Sequence, residues 1–398
     1  MMTMVMVQRL CCRSCCCVVA VMAAMIVMAA MAAMAPAAAG NVDPLGDEIE
    51  LGDDDLPYIH PVRKPGARSV GKQLPSISGF VPPREPTLQE LKTMRIALAS
   101  VAAPLSRETA SDITKYVLSA CLVFESFQRH TNFQNVDFLL VTRNTSWAFT
   151  PASRAVAKAC KMKVVERPLA IKTKYITDPT FKKILHDKSH AGIGLLDYDF
   201  LWPWTFDQAY DKIMVLDSDT FFARNVDHLF TAEVDLVFAN GPLSKVNGGM
   251  QLIRPSTKTF LDIRHYITAP NAYHPTKGWH GKGFIPPNQY GSATLQGFLT
   301  FYFTWVNTNT LEVPRALYNH QFDHSSSKSV DKCDDVYMFH FSACPKPMSL
   351  TLERFQTLKT PRYCGCAFTK FKKFEHFVLT EKIPLLSEVV RFHNILAD

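Results

Sequence analysis

The stretch that decides the fold is 210–230, YDKIMVLDSDTFFARNVDHLF. It contains a short apolar run, Ile213 to Leu216, which stops abruptly at Asp217-Ser218-Asp219. A run of this length, bounded by polar residues, predicts a buried β-strand. Two carboxylates one residue apart at a strand end can approach one cation if the chain turns there, and hard divalent cations prefer carboxylate oxygens. A surface turn with a helix cap would give the same Asp-x-Asp pattern, so the motif alone leaves both interpretations open.

Similar apolar runs alternate with helical patterns along the rest of the chain. We predict further strands in Met94 to Val101, Val136 to Val141, Lys163 to Val165 and Val234 to Ala239, with helices over Ile113 to Phe127 and Pro151 to Cys160. This alternation favours an α/β fold with a Rossmann-like, mostly parallel sheet and helices on both faces. Ligands bind such sheets beyond the carboxyl ends of the strands, and Asp217 and Asp219 stand at one of these ends.

The composition indicates a globular protein without a nucleic-acid partner. Of 398 residues, 47% are hydrophobic and 20% are charged, which is typical of folded domains. A net charge of +7 spread over this length indicates a moderately basic surface, not a nucleic-acid footprint.

Eleven cysteines form two groups, five near the N-terminus and six further along: Cys121, Cys160, Cys333, Cys344, Cys364 and Cys366. The second group could form disulfides in a secretory lumen, in a pairing that sequence does not give. Cysteine and histidine spacings do not favour zinc.

The N-terminus is directed to a membrane. No charged residue lies between Arg13 and Asp43, and 15–39 is almost wholly apolar. A helix needs about 20 apolar residues to cross a bilayer. The positive-inside rule makes 1–14 a cytosolic tail and places the rest of the chain in a lumen. We expect this to be the lumen of the Golgi or of another secretory-pathway compartment. A cleaved signal peptide, ending at the small residues Ala37 to Ala39, is the alternative and would give a secreted protein.

Three further segments follow. Residues 40–92 are rich in Pro and Gly and predict an extended stem. Residues 93–350 form the predicted catalytic domain, and Asn144-Thr-Ser146 within it is an N-glycosylation sequon. Residues 351–398 have helical patterning and no assigned role.

Four ordered motifs carry a resemblance to a known family. The stretch 210–230 resembles the donor-binding segment of the glycogenin-like, family 8 glycosyltransferases. The resemblance continues through 247–256 (NGGMQLIRPS), Leu317-Tyr318-Asn319 and 340–347 (HFSACPKP), with matching order and spacing across roughly 94–350. It implies a GT-A fold, a nucleotide-sugar donor that is usually UDP-linked, manganese, and retention of anomeric configuration.

The resemblance also implies a metal site. Asp217 and Asp219 match the two carboxylate ligands, and His340 matches the third protein ligand of Mn²⁺. Imidazole suits manganese as well as oxygen ligands do. Ser218, between the two aspartates, is expected at the donor. A core histidine is the other interpretation of His340, because Phe339 and Phe341 flank it.

Other positions are carried over as donor-site residues. Lys346 matches the lysine that contacts the diphosphate, and Gln296 the glutamine placed near the reacting carbon. Asn247 and Gly249 match the segment that faces the donor sugar, and Tyr116 a tyrosine near the nucleobase. A cation and a lysine aimed at the leaving phosphate would stabilise the charge that grows there. Lys346 could otherwise be a solvated lysine, and Gln296 could simply pack.

The chain also departs from the family pattern. Leu295 stands where the family usually has an aspartate that is given a catalytic or sugar-binding role. Ala343 and Met348 replace a glycine and a tryptophan, and Trp202 and Trp204 occupy the region where the family often carries a lysine. These tryptophans could stack on a ligand or pack in the core. The replacements put donor choice and activity in question.

We expect an active transferase that modifies a separate glycan, glycoprotein or lipid acceptor, with 271–290 as the candidate loop for acceptor contact. A self-glucosylating primer is an alternative, but the corresponding segment, 319–336, contains no tyrosine. A pseudoenzyme that binds nucleotide or glycan without turnover is the third interpretation, and Leu295 is its main support. The sequence does not identify the sugar, the acceptor or the oligomeric state.

Overall fold

A seven-stranded sheet forms the centre of the computed structural model, which describes residues 79–102, 110–143, 149–186, 194–241, 244–282, 292–321 and 333–343. In chain order the strands are β1 (Ile96–Val101), β2 (Val136–Arg143), β3 (Lys163–Arg167), β4 (Lys212–Leu216), β5 (Thr220–Phe222), β6 (Leu236–Ala239), β7 (Met250–Ile253), β8 (Tyr273–His274), β9 (Gly278–Trp279), β10 (Thr310–Val313), β11 (His320–Gln321) and β12 (Met338–His340). The large sheet has the order β10-β6-β7-β4-β1-β2-β3.

The large sheet is mostly parallel. β1 pairs in parallel with β2 and β4, β2 with β3, and β6 with β10. β7 lies between β4 and β6 and is antiparallel to both, so it begins at the edge where β4 ends. The predicted mixed α/β architecture is confirmed. β5, β11 and β12 form a second, three-stranded sheet that continues from this edge.

The described helices connect the strands. They are α1 (Leu88–Thr93), α2 (Ala110–Gln128), α3 (Pro151–Ala159), α4 (Pro179–His186), α5 (Thr257–Thr268), α6 (Leu295–Phe301) and α7 (Arg315–Tyr318). Longer stretches of 3₁₀-helix cover Gly194–Thr205 and Asp227–Thr231, and a π-helical turn, Tyr302–Val306, extends α6.

Helix α2 buries residues at the spacing of one helix face. Ile113, Val117, Ala120 and Phe124 are all buried, and Phe124 stacks on Phe138 of β2 with ring centroids 4.9 Å apart. This is the three-four periodicity from which the helix was predicted. A disulfide joins Cys121 of α2 to Cys160, the residue that ends α3, and so pairs two of the six cysteines outside the N-terminal group.

The last residues of the predicted stem, 40–92, lie in helix α1, and the stem itself stays a prediction. Thr87 and Glu90 form a capping box at the start of α1, and Arg84 holds the Glu90 carboxylate with two hydrogen bonds. Reciprocal caps of this kind satisfy backbone groups that a helix start leaves unpaired, so even a six-residue helix is stabilised there.

Several predicted features lie outside the described residues. These are the membrane segment 15–39, the sequon at 144–146, Lys346 and the extension 351–398. Within the described ranges, no helix combines the length and apolar character needed to span a bilayer.

Candidate functional site

The Asp-Ser-Asp motif forms the turn between the two sheets. β4 is buried along its whole length and ends at Leu216, and β5 begins at Thr220. The intervening turn is held by the Thr220 hydroxyl, which donates to the Asp217 carbonyl at 2.9 Å. Asp217 and Asp219 therefore stand at the carboxyl end of a central strand, as the sequence predicts. Ser218 lies between them and is partly buried.

His340 is brought to this turn by strand pairing. β12 runs antiparallel to β5 with His340 opposite Thr220, and the Phe341 N–H donates to the Asp219 carbonyl at 2.9 Å. The imidazole Nε2 lies 3.3 Å from Asp219 Oδ1 and 3.6 Å from Asp217 Oδ2. The three residues predicted as metal ligands thus come together, although His340 lies far from the aspartates in the chain.

These three side chains fit a divalent cation. Each offers one ligand atom, and the three atoms lie within 4.8 Å of one another. Bonds of 2.0–2.1 Å to an octahedral cation would place neighbouring ligand atoms roughly 3 Å apart. The two distances from His340 Nε2, 3.3 and 3.6 Å, need only a small contraction to reach that separation. His340 and Asp219 are buried, whereas 29% of the Asp217 side chain is exposed, so the site faces solvent on one side.

The protonation of the His340 ring follows from a backbone amide. The Gly249 N–H donates to Asn247 Oδ1 at 2.9 Å, which identifies that atom as the oxygen of the side-chain amide. Asn319 therefore directs its NH₂ group to Asn247 Oδ1, at 2.8 Å, and its oxygen to His340 Nδ1, at 2.9 Å. An amide oxygen can only accept, so this shorter contact requires the hydrogen on Nδ1. Gln321 Nε2 also lies 3.2 Å from Nδ1, but it donates to Asn247 Oδ1 at 3.1 Å. Nε2 then presents its lone pair to the two carboxylates, which is the tautomer that a metal-binding histidine needs.

Gly249 is required by the close approach of this ring. A Cβ atom on Gly249 would lie 2.3 Å from His340 Nδ1, 2.6 Å from its Cε1 and 2.8 Å from Asn319 Oδ1. Any side chain here would displace the His340 ring, which is a predicted metal ligand. The structure thus places Gly249 behind the imidazole, and the prediction that it faces the donor sugar remains a prediction.

Gln296 is linked to the same network. Asn247 donates from Nδ2 to Gln296 Oε1 at 3.3 Å, so hydrogen bonds run continuously from His340 through Asn319 and Asn247 to Gln296. Gln296 Nε2 and Asp217 Oδ2 both lie within 3.5 Å of the point that a Cβ on Gly248 would occupy. The glutamine predicted near the reacting carbon therefore stands beside the metal ligands.

Sequence reasoning missed three members of the site. Asn319 was visible in the Leu317-Tyr318-Asn319 motif, but it had no assigned role. Gln321 pairs with His340 across β11 and β12 and donates to Asn247 Oδ1 at 3.1 Å. Asp197 lies in the 3₁₀ segment and accepts the Leu295 N–H at 2.6 Å. Burial, together with the negative charge of Asp217, raises the pKa of Asp197 to about 6, although the Leu295 N–H opposes this rise.

Other predicted positions lie around this centre. Tyr116 stands on α2 with 51% of its surface exposed, and its contact with a nucleobase stays a prediction. Trp204 is buried and stacks on Phe303, while Trp202 stacks on Phe260 of α5, so both tryptophans pack against other rings.

The described part of the predicted acceptor loop is a hairpin. β8 and β9 pair within it, and the buried Trp279 lies edge-on to Phe298 of α6 with ring centroids 4.9 Å apart. The Trp279 indole donates to the Ser292 carbonyl at 2.9 Å. This hairpin therefore supports the start of the helix that carries Gln296. Its contact with an acceptor remains a prediction.

No family model matches the chain. An uncharacterized protein of Acanthamoeba polyphaga mimivirus, R707, is 28% identical to it over 159 residues, which cover 35% of this chain and 50% of that protein. The chain thus spans about half of the length of this curated relative.

Among solved structures, the chain is similar to three glycosyltransferases. Mouse xyloside xylosyltransferase 1, in its apo form, is 15% identical with a TM-score of 0.36, over 62% of this chain and 97% of that one. GlyE of Streptococcus pneumoniae TIGR4 is 12% identical with a TM-score of 0.39, over 75% of this chain and 63% of that one. The galactosyltransferase LgtC, in complex with donor and acceptor sugar analogs, is 10% identical with a TM-score of 0.38, over 70% and 94%. All three TM-scores lie below 0.5, so none of these likenesses by itself assigns an activity to the chain.

Proposed function

We propose that this chain is a metal-dependent, retaining glycosyltransferase that moves a hexose or a related sugar from a UDP-sugar to a separate acceptor. The observation that carries the proposal is the convergence of Asp217, Asp219 and His340 on one side of a strand end, with the His340 tautomer already set for metal binding. An ordinary core histidine would not need two carboxylates within 3.6 Å of its Nε2 atom.

The chemistry of transfer fits these residues. The bond from the anomeric carbon to the diphosphate oxygen breaks, UDP leaves with the bonding electrons, and the acceptor hydroxyl oxygen forms the new bond and loses its proton. A divalent cation held by Asp217, Asp219 and His340 supplies positive charge where the leaving diphosphate becomes more negative. Manganese is our first choice, because the ligand set combines imidazole with carboxylates.

The protein's own groups orient the sugar side of the reaction. Gln296 directs its amide nitrogen toward the region beside Asp217, and Asn247 fixes the opposite oxygen of the same amide. Because Asn247 also fixes Asn319, the metal ligand and Gln296 are held in one rigid arrangement. Such preorganisation places charge and hydrogen bonds before the reaction begins.

A binding experiment tests the metal site. The affinity for UDP is measured by calorimetry with Mn²⁺ and with EDTA, in the wild type and in Asp219→Asn. We expect wild-type binding to require Mn²⁺ and to fall at least tenfold in Asp219→Asn, since a neutral amide is a weaker ligand than a carboxylate. Asp207→Asn is the matched control. Asp207 accepts the Thr257 N–H at the start of α5, which follows the end of β7, whereas the site lies at the start of β7. Equal, metal-independent UDP binding in all three proteins would contradict the proposal.

We propose further that the acceptor is a separate glycan, glycoprotein or lipid, and that transfer takes place in the lumen of the Golgi or of another secretory compartment. The Cys121–Cys160 disulfide supports an oxidising compartment, and the apolar segment 15–39 supports an uncleaved anchor. Incubation with UDP-sugar and Mn²⁺, followed by intact-mass measurement, tests the first point. A ladder of added hexoses, at a rate independent of dilution, would show self-modification instead.

N-terminal sequencing of the native protein tests the anchor, and a start near Gly40 would indicate a cleaved signal peptide.

A further inference from the structure

We propose that Asp197 is a sugar-binding residue, which accepts a hydroxyl hydrogen of the donor sugar and positions Gln296 beside it. This inference rests on the proposed function and deepens it. It concerns a residue that sequence reasoning assigned no role, in the 3₁₀ segment that precedes β4.

The first argument is the place of Asp197 in the fold. Its Oδ2 atom accepts the Leu295 N–H at 2.6 Å, one residue before Gln296. The adjacent Tyr198 donates its hydroxyl to the Ala293 carbonyl at 3.0 Å. Asp197 and Tyr198 therefore hold the backbone at the start of α6, and this fixes the position of Gln296.

The second argument is proximity to the metal site. Gln296 Nε2 and Asp217 Oδ2 border one region next to Gly248, and the charge of Asp217 acts on Asp197. Leu295 itself adds no polar group, since its side chain is apolar and buried. Asp197 thus supplies a carboxylate at the start of α6, where the side chain at position 295 supplies none.

The third argument is that a structural role alone does not need a charged group. Thr294 already caps α6, because its hydroxyl accepts the Gly297 N–H at 3.3 Å. An asparagine at 197 would accept the Leu295 N–H equally well and would avoid the burial of a charge. A carboxylate offers more than this hydrogen bond. Among the described residues, no donor contacts the second carboxylate oxygen of Asp197, Oδ1.

The chemistry of that free oxygen selects the ligand. Asp197 is not part of the three-residue metal group in the described chain, so the cation does not account for it. Sugar hydroxyls are good donors, and hydrogen bonds to an ionised acceptor are roughly twice as strong as those between neutral groups. A hexose bound at the metal-held diphosphate presents several hydroxyl groups to the region beside Gln296.

The test separates sugar contact from all other roles. Dissociation constants are measured with Mn²⁺ for UDP, UDP-glucose, UDP-galactose and UDP-N-acetylglucosamine, in the wild type, in Asp197→Asn and in the control Asp207→Asn. UDP lacks the sugar, so its affinity reports on the metal, the diphosphate site and correct folding. In Asp197→Asn we expect UDP affinity to stay within about twofold, and affinity for the best UDP-sugar to fall about tenfold, as for one hydrogen bond to a charged group. Asp207→Asn should change neither.

Two outcomes would overturn the inference. An unchanged ratio of UDP-sugar to UDP affinity in Asp197→Asn would show that the carboxylate does not bind the sugar. An equal loss for UDP and UDP-sugars, or a protein that no longer folds, would show a structural role. Failure of the proposed function gives a different result, in which the wild type binds neither UDP nor any of the three UDP-sugars in the presence of Mn²⁺.

Discussion

Replacement of Gly249 by alanine is expected to displace a metal ligand without removing one. The new Cβ would lie 2.3 Å from His340 Nδ1, whereas ordinary contacts begin at about 3.4 Å. The imidazole ring would have to move by roughly 1 Å, because a side chain shifts more easily than the backbone that carries the new Cβ. It cannot do so freely, because Asn319 holds Nδ1 at 2.9 Å and the backbone of β12 is paired with β5.

The expected loss of Mn²⁺ affinity is at least as large as the loss caused by removing a residue that orients a metal ligand. Loss of a group that orients a metal ligand typically lowers metal affinity by about 10–100-fold. A ligand moved by about 1 Å should lose at least as much, which corresponds to roughly 1.4–2.7 kcal/mol. Overpacking should also lower the free energy of unfolding by about 1–3 kcal/mol. Calorimetric titration of Mn²⁺ and the Mn²⁺-dependent rise in melting temperature measure the two effects separately.

A graded series of glycine substitutions makes the result decisive. A Cβ on Gly248 would lie 3.1 Å from Gln296 Nε2 and 3.5 Å from Asp217 Oδ2, contacts that a shift of a few tenths of an ångström relieves, so Gly248→Ala should change Mn²⁺ affinity by less than about threefold. Gly79 has no atom within 4 Å of its Cβ position, so Gly79→Ala is the control for the substitution itself. If Gly249→Ala binds Mn²⁺ as tightly as Gly79→Ala, the cation is not held by His340 and the site is wrongly assigned.

Three further predictions follow from other contacts. Asn319→Leu removes the acceptor of the His340 Nδ1 hydrogen and should lower Mn²⁺ affinity by about 10–100-fold in calorimetry, so unchanged affinity would refute the assigned tautomer. Burial raises the pKa of Asp199 from 3.8 to about 6, so its ionisation destabilises the folded state as pH rises through this range. In urea unfolding, the stability of Asp199→Asn relative to the wild type should therefore rise by about 2.4 kcal/mol between pH 4 and pH 7, and a pH-independent difference would contradict this. The Cys121–Cys160 disulfide spans 39 residues and should contribute about 3–4 kcal/mol. Dithiothreitol should thus lower the melting temperature of the wild type but not that of a double alanine variant, and equal responses would argue against the bond.

The part of the fold that follows from local pattern was predictable. The run Ile213 to Leu216 is apolar and short, and all of β4 is buried as such a run predicts. The strand end at Asp217 followed from the abrupt change to acidic residues. The direction of β7 did not follow, because its four residues carry no signal for orientation. Pairing with β4 and β6 decides it, and this pairing joins distant parts of the chain.

The sequence predicted that Asp217, Asp219 and His340 come together, but it did not predict the residues that support them. The resemblance placed His340 beside Asp217 and Asp219, where no local pattern would have done so, since the contact depends on the register between β5 and β12. Gly249 looked like a residue of a donor-facing turn, and only the packed imidazole shows why a side chain is excluded there. Asp197 lies in a 3₁₀ segment without a usable period, and its partner Leu295 is 98 residues away in the chain.

The supports show how one backbone group can set the chemistry of a distant ligand. The Gly249 N–H has a fixed direction at the start of β7, and it determines which end of the Asn247 amide is the oxygen. That choice orients Asn319, and Asn319 in turn determines which nitrogen of His340 carries the hydrogen. The other end of the Asn247 amide faces Gln296, so the same backbone group also orients the residue beside the sugar. Reversal of any amide in this series would oppose donor to donor or acceptor to acceptor in a buried network, and each such mismatch costs about 1–3 kcal/mol. His340 and Gln296 are therefore held in one arrangement. Under the proposed function, the metal ligand and the sugar side of the site are fixed before either ligand binds, which is the condition for stabilising a transition state more than a ground state.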